Sequence, residues 1–417
     1  MTNNISLQNF KKITMGSETL VSTIIRKSIM SHIMNSGSFV ISDISEDTGY
    51  TATTVAKYVS KLIDEGLLSE VDRINLHSKG RKTVRYGISS YNRYFLGVDI
   101  SAFEMKIGLM NLAGEIIKIE KDTTFRLENN YDTLDKLCNG VKKFVADTEG
   151  VDISMIMCAN INLPGRVNSR IGTSASTFNF EETVNTPLAE ILADKIGIPI
   201  YIENDTKAMA YGEYMSGLNK SYKNICYVNI GWGLGMALIV EGHLHLGKDG
   251  YSGELGHVHH FNNNVLCHCG KKGCLETELS GRAIVRKLTE RILQGDTSVL
   301  SHKVKSGATI TTDDIINAVK NEDALCIEFV SSIGTELGHQ LSGIVNIFNP
   351  DVIVIGGSLS EIESYYFLQY TRLAIRQYSL KLISQDLPVI SSTLGENAAI
   401  IGSCMIARSK ILTGEIE

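Results

Sequence analysis

Three cysteines within eight residues, in Cys267-His268-Cys269-Gly270-Lys271-Lys272-Gly273-Cys274, constrain this chain more than any other stretch. A histidine, His257, lies ten residues upstream of the first of them. Gly270 and Gly273 let the backbone fold back sharply between the last two cysteines. Three thiolates and one imidazole make a full tetrahedral set for one structural zinc per chain. The alternative, a cluster of reduced buried thiols, leaves the close spacing unexplained. Glu254 and Glu276 bracket the set without being needed to close it, so the metal is expected to shape a site for something else.

At 417 residues the chain exceeds one ordinary core, and two or three domains are expected. Apolar residues make up 43% and charged residues 21%, a soluble globular balance. No apolar run approaches the ~20 residues of a membrane span, and Met1-Thr2-Asn3-Asn4 carries neither a basic head nor an apolar signal core. No membrane partner is expected. The other cysteines (Cys138, Cys158, Cys226, Cys326, Cys404) are scattered, as buried thiols of a reducing cytoplasm would be. Charge is unevenly spread. Residues 1–90 hold 11 Lys+Arg against 8 Asp+Glu, while the acidic remainder carries the net charge of −6 and more. A basic head on an acidic body points to a polyanion met by the head alone.

In the head, Leu20 to Met34 has apolar residues at helical spacing, stopped by Asn35-Ser36-Gly37. A short helix is expected from Ser42, as N-cap, to Thr48. Gly49 turns the chain, Thr51 caps, and Thr53 to Glu65 forms a third helix ended by Gly66. Helix, tight turn, helix is the arrangement whose second member enters a DNA major groove. Val55, Val59, Leu62 and Ile63 are expected to face inward, leaving Thr51, Thr53, Thr54, Lys57, Tyr58 and Lys61 for DNA. Two strand-like runs follow, Leu67–Val71 and Thr83–Ile88. Between Arg73 and Arg85 lie Lys79, Arg81 and Lys82 and no acid, which reads as a cationic wing in which Lys79, Arg81, Lys82 and Arg85 meet phosphates. Residues 1–90 are therefore expected to form a winged helix-turn-helix, joined by a short linker at about residues 89–93.

Residues 91–417 read as α/β. Strands are expected at Tyr94–Ser101, Glu104–Leu112 and Glu115–Phe125, then a helix over Tyr131–Thr148 and strands at Ile153–Ile161 and Ile198–Ile202. A helix over Thr206–Met215 follows Glu203-Asn204-Asp205. The order then repeats, with strands at Asn224–Ile230, Met236–Val240, Asp351–Ile355 and Pro388–Ser392 and helical stretches over Gly281–Leu293, Thr312–Lys320 and Ala324–Phe348 between. Two successive lobes of this kind imply a doubled α/β fold around a cleft.

These residues resemble the ROK family, named for repressors, open reading frames and kinases. The resemblance rests on Gly-Glu-Leu-Gly-His at 253–257 with the cysteine segment to Glu276, on Leu163-Pro164-Gly165, on Glu203-Asn204-Asp205 and on Ile355-Gly356-Gly357. It implies a two-lobed actin-like (ribonuclease-H-like) domain, to which the family's repressors add a winged head. It also implies zinc on His257, Cys267, Cys269 and Cys274, and sugar hydroxyls bound at Gly165, Arg166, Asn204, Asp205, Glu254, His257 and Glu276. Asn179 is a further candidate contact. Carboxylates and amides suit a pyranose, whose hydroxyls both donate and accept. His259, His260 and His268 are expected to be exposed loop residues, not ligands.

The family leaves two functional classes open. A sugar kinase would use Asp205 as base and glycine-rich turns to cradle ATP phosphates. ROK kinases carry Asp-x-Gly-Gly-Thr after the first strand, whereas this chain reads Asp99-Ile100-Ser101-Ala102-Phe103. The second loop keeps Gly231, Gly233 and Gly235 but holds Trp232, the chain's one tryptophan, where kinases have a small residue. The expectation is therefore a non-enzymatic, sugar-responsive repressor of the xylose, N-acetylglucosamine or glucose repressor type. It would act as a homodimer or homotetramer on an operator with two half-sites, released by an unphosphorylated aldohexose or aldopentose, with a protein-sequestered regulator as the remaining class.

Overall fold

Each N-terminal helix turns one apolar stripe inward, and the stripes meet in a shared core. The structure, a computed structural model, describes residues 20–74, 83–89, 93–218, 221–362 and 365–412. The first three helices are α1 (Leu20–Ser36), α2 (Ile41–Thr48) and α3 (Ala52–Asp64). Ile25, Ile29, Ile44, Val55, Val59 and Leu62 are buried among them. The start of α2 differs from expectation. Val40 is the N-cap, and the Asp43 carboxylate accepts its amide hydrogen at 3.0 Å, drawing Ser42 into the helix. Thr51 caps α3 as expected by accepting from the Thr54 amide. Ile63 is 37% exposed because it lies beside the 55–59–62 stripe, whereas Tyr58, expected outside, is half-buried against the core.

Strands β1 (Ser38–Phe39), β2 (Leu68–Ile74) and β3 (Thr83–Ile88) form a sheet in the order β1-β3-β2, with β2 and β3 antiparallel. Lys79, Arg81 and Lys82 lie outside the described residues. The head shares one hydrophobic cluster with Phe95, Met110, Leu112 and Cys158, and with Cys404, Ala407, Ile411 and Leu412. Its core therefore does not end at the linker.

Strands β4 (Tyr94–Ile100), β5 (Met105–Asn111) and β6 (Ile116–Asp122) form an antiparallel meander, and β7 (Ile156–Leu163) adds parallel to β4. With β10 (Ile200–Asn204) the sheet order is β10-β7-β4-β5-β6, and the small pair β8 (Val167–Asn168) and β9 (Thr173–Ser174) stands apart. The run expected to begin the β7 strand at Ile153 is instead a 3-10 turn, because the Asp152 carboxylate accepts the Ser154 amide at 2.9 Å. A buried polar chain crosses this lobe. Asn162 donates to Asp99 at 3.1 Å, Asn160 donates to Asn162 at 2.9 Å and to Ser403 at 3.0 Å.

The second sheet repeats the first. Strands β11 (Ile225–Ile230), β12 (Leu234–Val240) and β13 (His243–Leu244) make the meander, and β14 (Val352–Gly356) and β15 (Val389–Ser391) add parallel, in the order β13-β12-β11-β14-β15. Helices Gly281–Leu293, Thr312–Lys320 and Ala324–Phe348 cover it, with the boundaries their periodicity predicts. The helix after β10 runs only from Asp205 to Gly212 before widening into a π turn at Glu213–Gly217. Glu213 is fully buried and accepts from the Ser392 hydroxyl at 2.6 Å and the Thr393 amide at 2.9 Å, which holds the wider turn.

The chain packs as two compact units, one from the head to Glu203 with Ser403 onward, the other Asn204–Gly402. The last helix, Ala398–Leu412, thus begins in the second unit and continues in the first. In the first, Arg408 donates to the Leu112 carbonyl at 2.9 Å. In the second, Gly402 meets the Asp205–Gly212 helix so closely that a Cβ would strike the Ala208 carbonyl oxygen, and a Cβ on Gly212 would lie 2.8 Å from the Gly402 Cα. Backbone has to shift to admit even one methyl. Gly402→Ala should therefore destabilise the chain by about 1–3 kcal/mol, read as a lower midpoint in urea; an unchanged midpoint would mean that this crossing is looser than described.

Candidate functional site

The residues flanking β12 and the start of the Gly281–Leu293 helix bring one cluster of donors together in the second unit. Gly270 (φ +87°) and Gly273 (φ +74°) make the reversals expected of them. The backbone then carries Cys267, Cys269, Cys274 and His257 to ligand atoms that all lie within 4.8 Å of one another. The His257 Nδ1 is 3.6 Å from the Cys267 Sγ, and the Cys269 and Cys274 sulfurs are 3.6 Å apart. A tetrahedral ion with metal–sulfur bonds of about 2.3 Å needs ligands about 3.6–3.8 Å apart. The donor set fits a metal ion.

With Nδ1 turned to the thiols, the other ring nitrogen of His257 is 3.7 Å from the Glu254 carboxylate. Glu276 lies close by, one of its oxygens within 4.8 Å of a nitrogen of each of His257 and His268. Its side chain is 9% exposed, and its Oε2 accepts the Leu234 amide hydrogen at 3.2 Å. A Cβ at Gly233 would stand 3.0 Å from that same oxygen and press on the carboxylate. Burial works to raise the Glu276 pKa, but the hydrogen bonds from His268 and Leu234 prevail and hold it below the ordinary glutamate value.

Asn204 and Asp205 enter the same unit at the N-terminus of the Asp205–Gly212 helix. Asn204 caps it by accepting the Lys207 amide at 3.1 Å and donates to Asp205 Oδ1 at 2.9 Å. The Thr206 amide donates to that oxygen at 2.7 Å. Burial pushes the Asp205 carboxyl up to about 6 against these bonds, with Lys207 lowering it and Glu254 raising it further. Asp205 and Glu254 thus feel each other's charge.

The first unit holds the remaining candidates on the loop after β7. The Ser176 hydroxyl accepts from both the Arg166 amide (3.2 Å) and its Nε (3.1 Å), beside Gly165. Phe178 adopts φ 52° with its ring fully buried, a strained backbone anchored by packing that presents the exposed Asn179.

At both glycine-loop positions backbone groups are engaged within the chain. At the β4–β5 turn Arg126 Nη1 donates to the Phe103 and Thr123 carbonyls, each at 2.7 Å, and Leu127 donates to the Ala102 carbonyl at 3.2 Å. The Phe103 amide is taken by Ser101. At the second loop Gly231 donates to Gly233 at 3.1 Å and its carbonyl accepts from Gly281, while Arg282 lies 5.8 Å above the Trp232 ring.

His259, His260 and His268 are exposed, as expected, but two of them have partners that the sequence does not show. His260 is tied to helix Ala324–Phe348, 2.9 Å from Gln340 Nε2 and 3.3 Å from Glu336. His268, on the exposed side of its loop as expected, is nonetheless bonded to Glu276 at 3.0 Å. A residue between two ligands gives no sign in sequence of where its own side chain goes. In the head, Thr51, Thr53, Lys57 and Lys61 are exposed and Thr54 is half-buried, while Arg85 stands 3.9 Å from Asp72. Among the described residues no helix is long and apolar enough to cross a membrane.

The sequence profile of the ROK family matches residues 95–410. The chain is 28% identical over 408 residues to the xylose repressor of Caldicellulosiruptor bescii, covering 96% of this chain and 99% of the repressor. It is 27% identical over 316 residues to the glucokinase of Thermotoga maritima, covering 76% of this chain and 98% of the kinase. Among solved structures, a ROK family transcriptional regulator, a homolog of the E. coli MLC protein, superposes with a TM-score of 0.80 at 26% identity. That match covers 95% of this chain and 98% of the other.

The donor geometry predicts one equivalent of metal per purified chain. Cys269→Ser should lower that content and the melting temperature, the latter by about 5 °C or more. Elemental analysis beside a thermal scan reads both, and full metal retention would remove Cys269 from the set.

Proposed function

The chain belongs to the ROK family, and from that premise we propose that it is a DNA-binding transcriptional repressor that releases its operator when a sugar binds. One observation carries the reading. A whole xylose repressor spans 96% of the chain, too much to leave the head out, whereas a whole glucokinase spans 76%. Residues 1–90 serve as a winged helix-turn-helix and residues 91–417 as the sugar-sensing ROK domain. In the head, α3 lies in the major groove with Thr53, Lys57 and Lys61 outward, and the segment carrying Lys79, Arg81 and Lys82 meets phosphates.

In the sensing domain, Asn204, Asp205, Glu254 and Glu276 pair with sugar hydroxyls, and the family resemblance adds Gly165, Arg166 and Asn179 as further contacts. Zinc on His257, Cys267, Cys269 and Cys274 fixes the loop, leaving the second His257 nitrogen for a hydroxyl. An unphosphorylated aldohexose or aldopentose suits a site built of carboxylates. The sugar favours a conformation of the chain that fits the operator less well, and a coupling of about 1–3 kcal/mol would weaken operator binding about 5–150-fold. The protein works in the cytoplasm as a homodimer or homotetramer on two half-sites.

A kinase reading has Asp205 in its favour, as a carboxyl near neutrality able to take a hydroxyl proton. Against it stand the Arg126-bound turn at 101–103 and Trp232. Incubated with ATP and a panel of hexoses, pentoses and amino sugars, the protein should transfer phosphate to none; turnover at an enzyme-like rate would replace the repressor by a kinase. Arg81→Ala with Lys82→Ala should weaken operator binding and flatten its salt slope by about 2, one for each phosphate left without its cation; an unchanged slope would move the wing elsewhere.

Acid should weaken the sugar. Asp205 accepts two hydroxyl hydrogens only as a carboxylate, the form favoured above about 6. Titration calorimetry should show affinity falling as pH drops through that value, by up to about tenfold per unit below it. A flat profile between about pH 5 and 7.5 would mean that Asp205 does not accept from the sugar.

A further inference from the structure

His268 lies between two metal-binding positions, Cys267 and Cys269, so the loop fixes its backbone from both sides. Its Nδ1 is 3.0 Å from Glu276 Oε1, while the Leu234 amide occupies Oε2. The next donor to Oε1 is Arg282, 3.8 Å away and drawn over the Trp232 ring. The His257 and His268 rings meet edge to face at 5.0 Å, which packs His268 against the imidazole of the metal set. A carboxylate held on one oxygen by backbone and on the other by an imidazole keeps one orientation. Freed of the imidazole, it has a guanidinium within easy reach and would rotate toward it.

We infer that His268 is the positioning residue for Glu276: it stops this carboxylate from collapsing onto Arg282 and so sets which hydroxyl configuration the site accepts. Through Cys267 and Cys269 the same residue makes Glu276 depend on the metal loop. The inference rests on the sugar-binding reading given above and assigns a specificity-determining role beyond it. His268 touches Glu276, and the sugar feels it through that carboxylate.

The test is titration calorimetry of the full chain with D-glucose, its epimers D-mannose and D-galactose, D-xylose and N-acetyl-D-glucosamine, together with elemental analysis. His268→Ala should weaken the best-bound sugar about tenfold or more and reduce the ratio of affinities between epimers. Metal content and sugar-free operator affinity should stay at wild-type levels. His268→Asn, whose amide can donate from the Nδ1 position, should recover most of the affinity. His268→Ala with Arg282→Ala should recover part of it, because the competing cation is gone. Wild-type affinity and epimer ratio in His268→Ala would overturn the role of His268 alone. Loss of metal in both His268 variants would also overturn it, by making the residue part of the metal loop's own stability. Binding of none of the five sugars by the wild type would overturn the sugar reading and this inference together.

Discussion

The loop from 258 to 274 is organised around the convergence of His257, Cys267, Cys269 and Cys274. Few apolar residues line the loop from 258 to 274, and Val258 and Leu266 are exposed. Such a loop has little hydrophobic burial to hold it. Four donors whose ligand atoms lie within 4.8 Å of one another would, on binding a metal, supply a different source of order, since a metal bound only by the folded chain contributes its binding energy to folding. The polar residues around the cluster are its near neighbours in sequence. Glu254 lies three residues before one donor, Glu276 two residues after another, and His268 between two more.

Glu276 shows how a buried carboxylate is kept charged. Burial alone would favour its protonated form, yet an amide, an imidazole and the guanidinium beyond it hold the charge. Asp205 is balanced the other way. Its single strongly bonded oxygen does not offset burial, and its carboxyl titrates near 6. Two acids of one unit are thus shifted in opposite directions, because burial and Glu254 prevail at Asp205 while His268 and the Leu234 amide prevail at Glu276.

Much of this was legible before any coordinates. Period-two and period-3.6 patterns located the meanders and the helices at 281–293, 312–320 and 324–348, because their burial follows local periodicity. The cysteine spacing picked out four residues whose donor atoms the fold brings together. What the sequence did not carry was long-range pairing. The π turn after Gly212 depends on Glu213 reaching Ser392 and Thr393, about 180 residues away. The Arg126 clasp on the β4–β5 turn and the His268–Glu276 bond likewise depend on side-chain direction, not on spacing. The head's shared core with Phe95 and Ile411 joins residues from both ends of the chain.

The central claim is that one chain couples a sugar to an operator. Coupling of this kind is reciprocal, so it can be read from either ligand. Sugar affinity measured by calorimetry with and without a saturating operator duplex, at one salt concentration, tests it most directly. The account predicts that operator DNA weakens the sugar by the same factor, about 5–150-fold, by which the sugar weakens operator binding. Equal sugar affinity in the presence and absence of the duplex would contradict it.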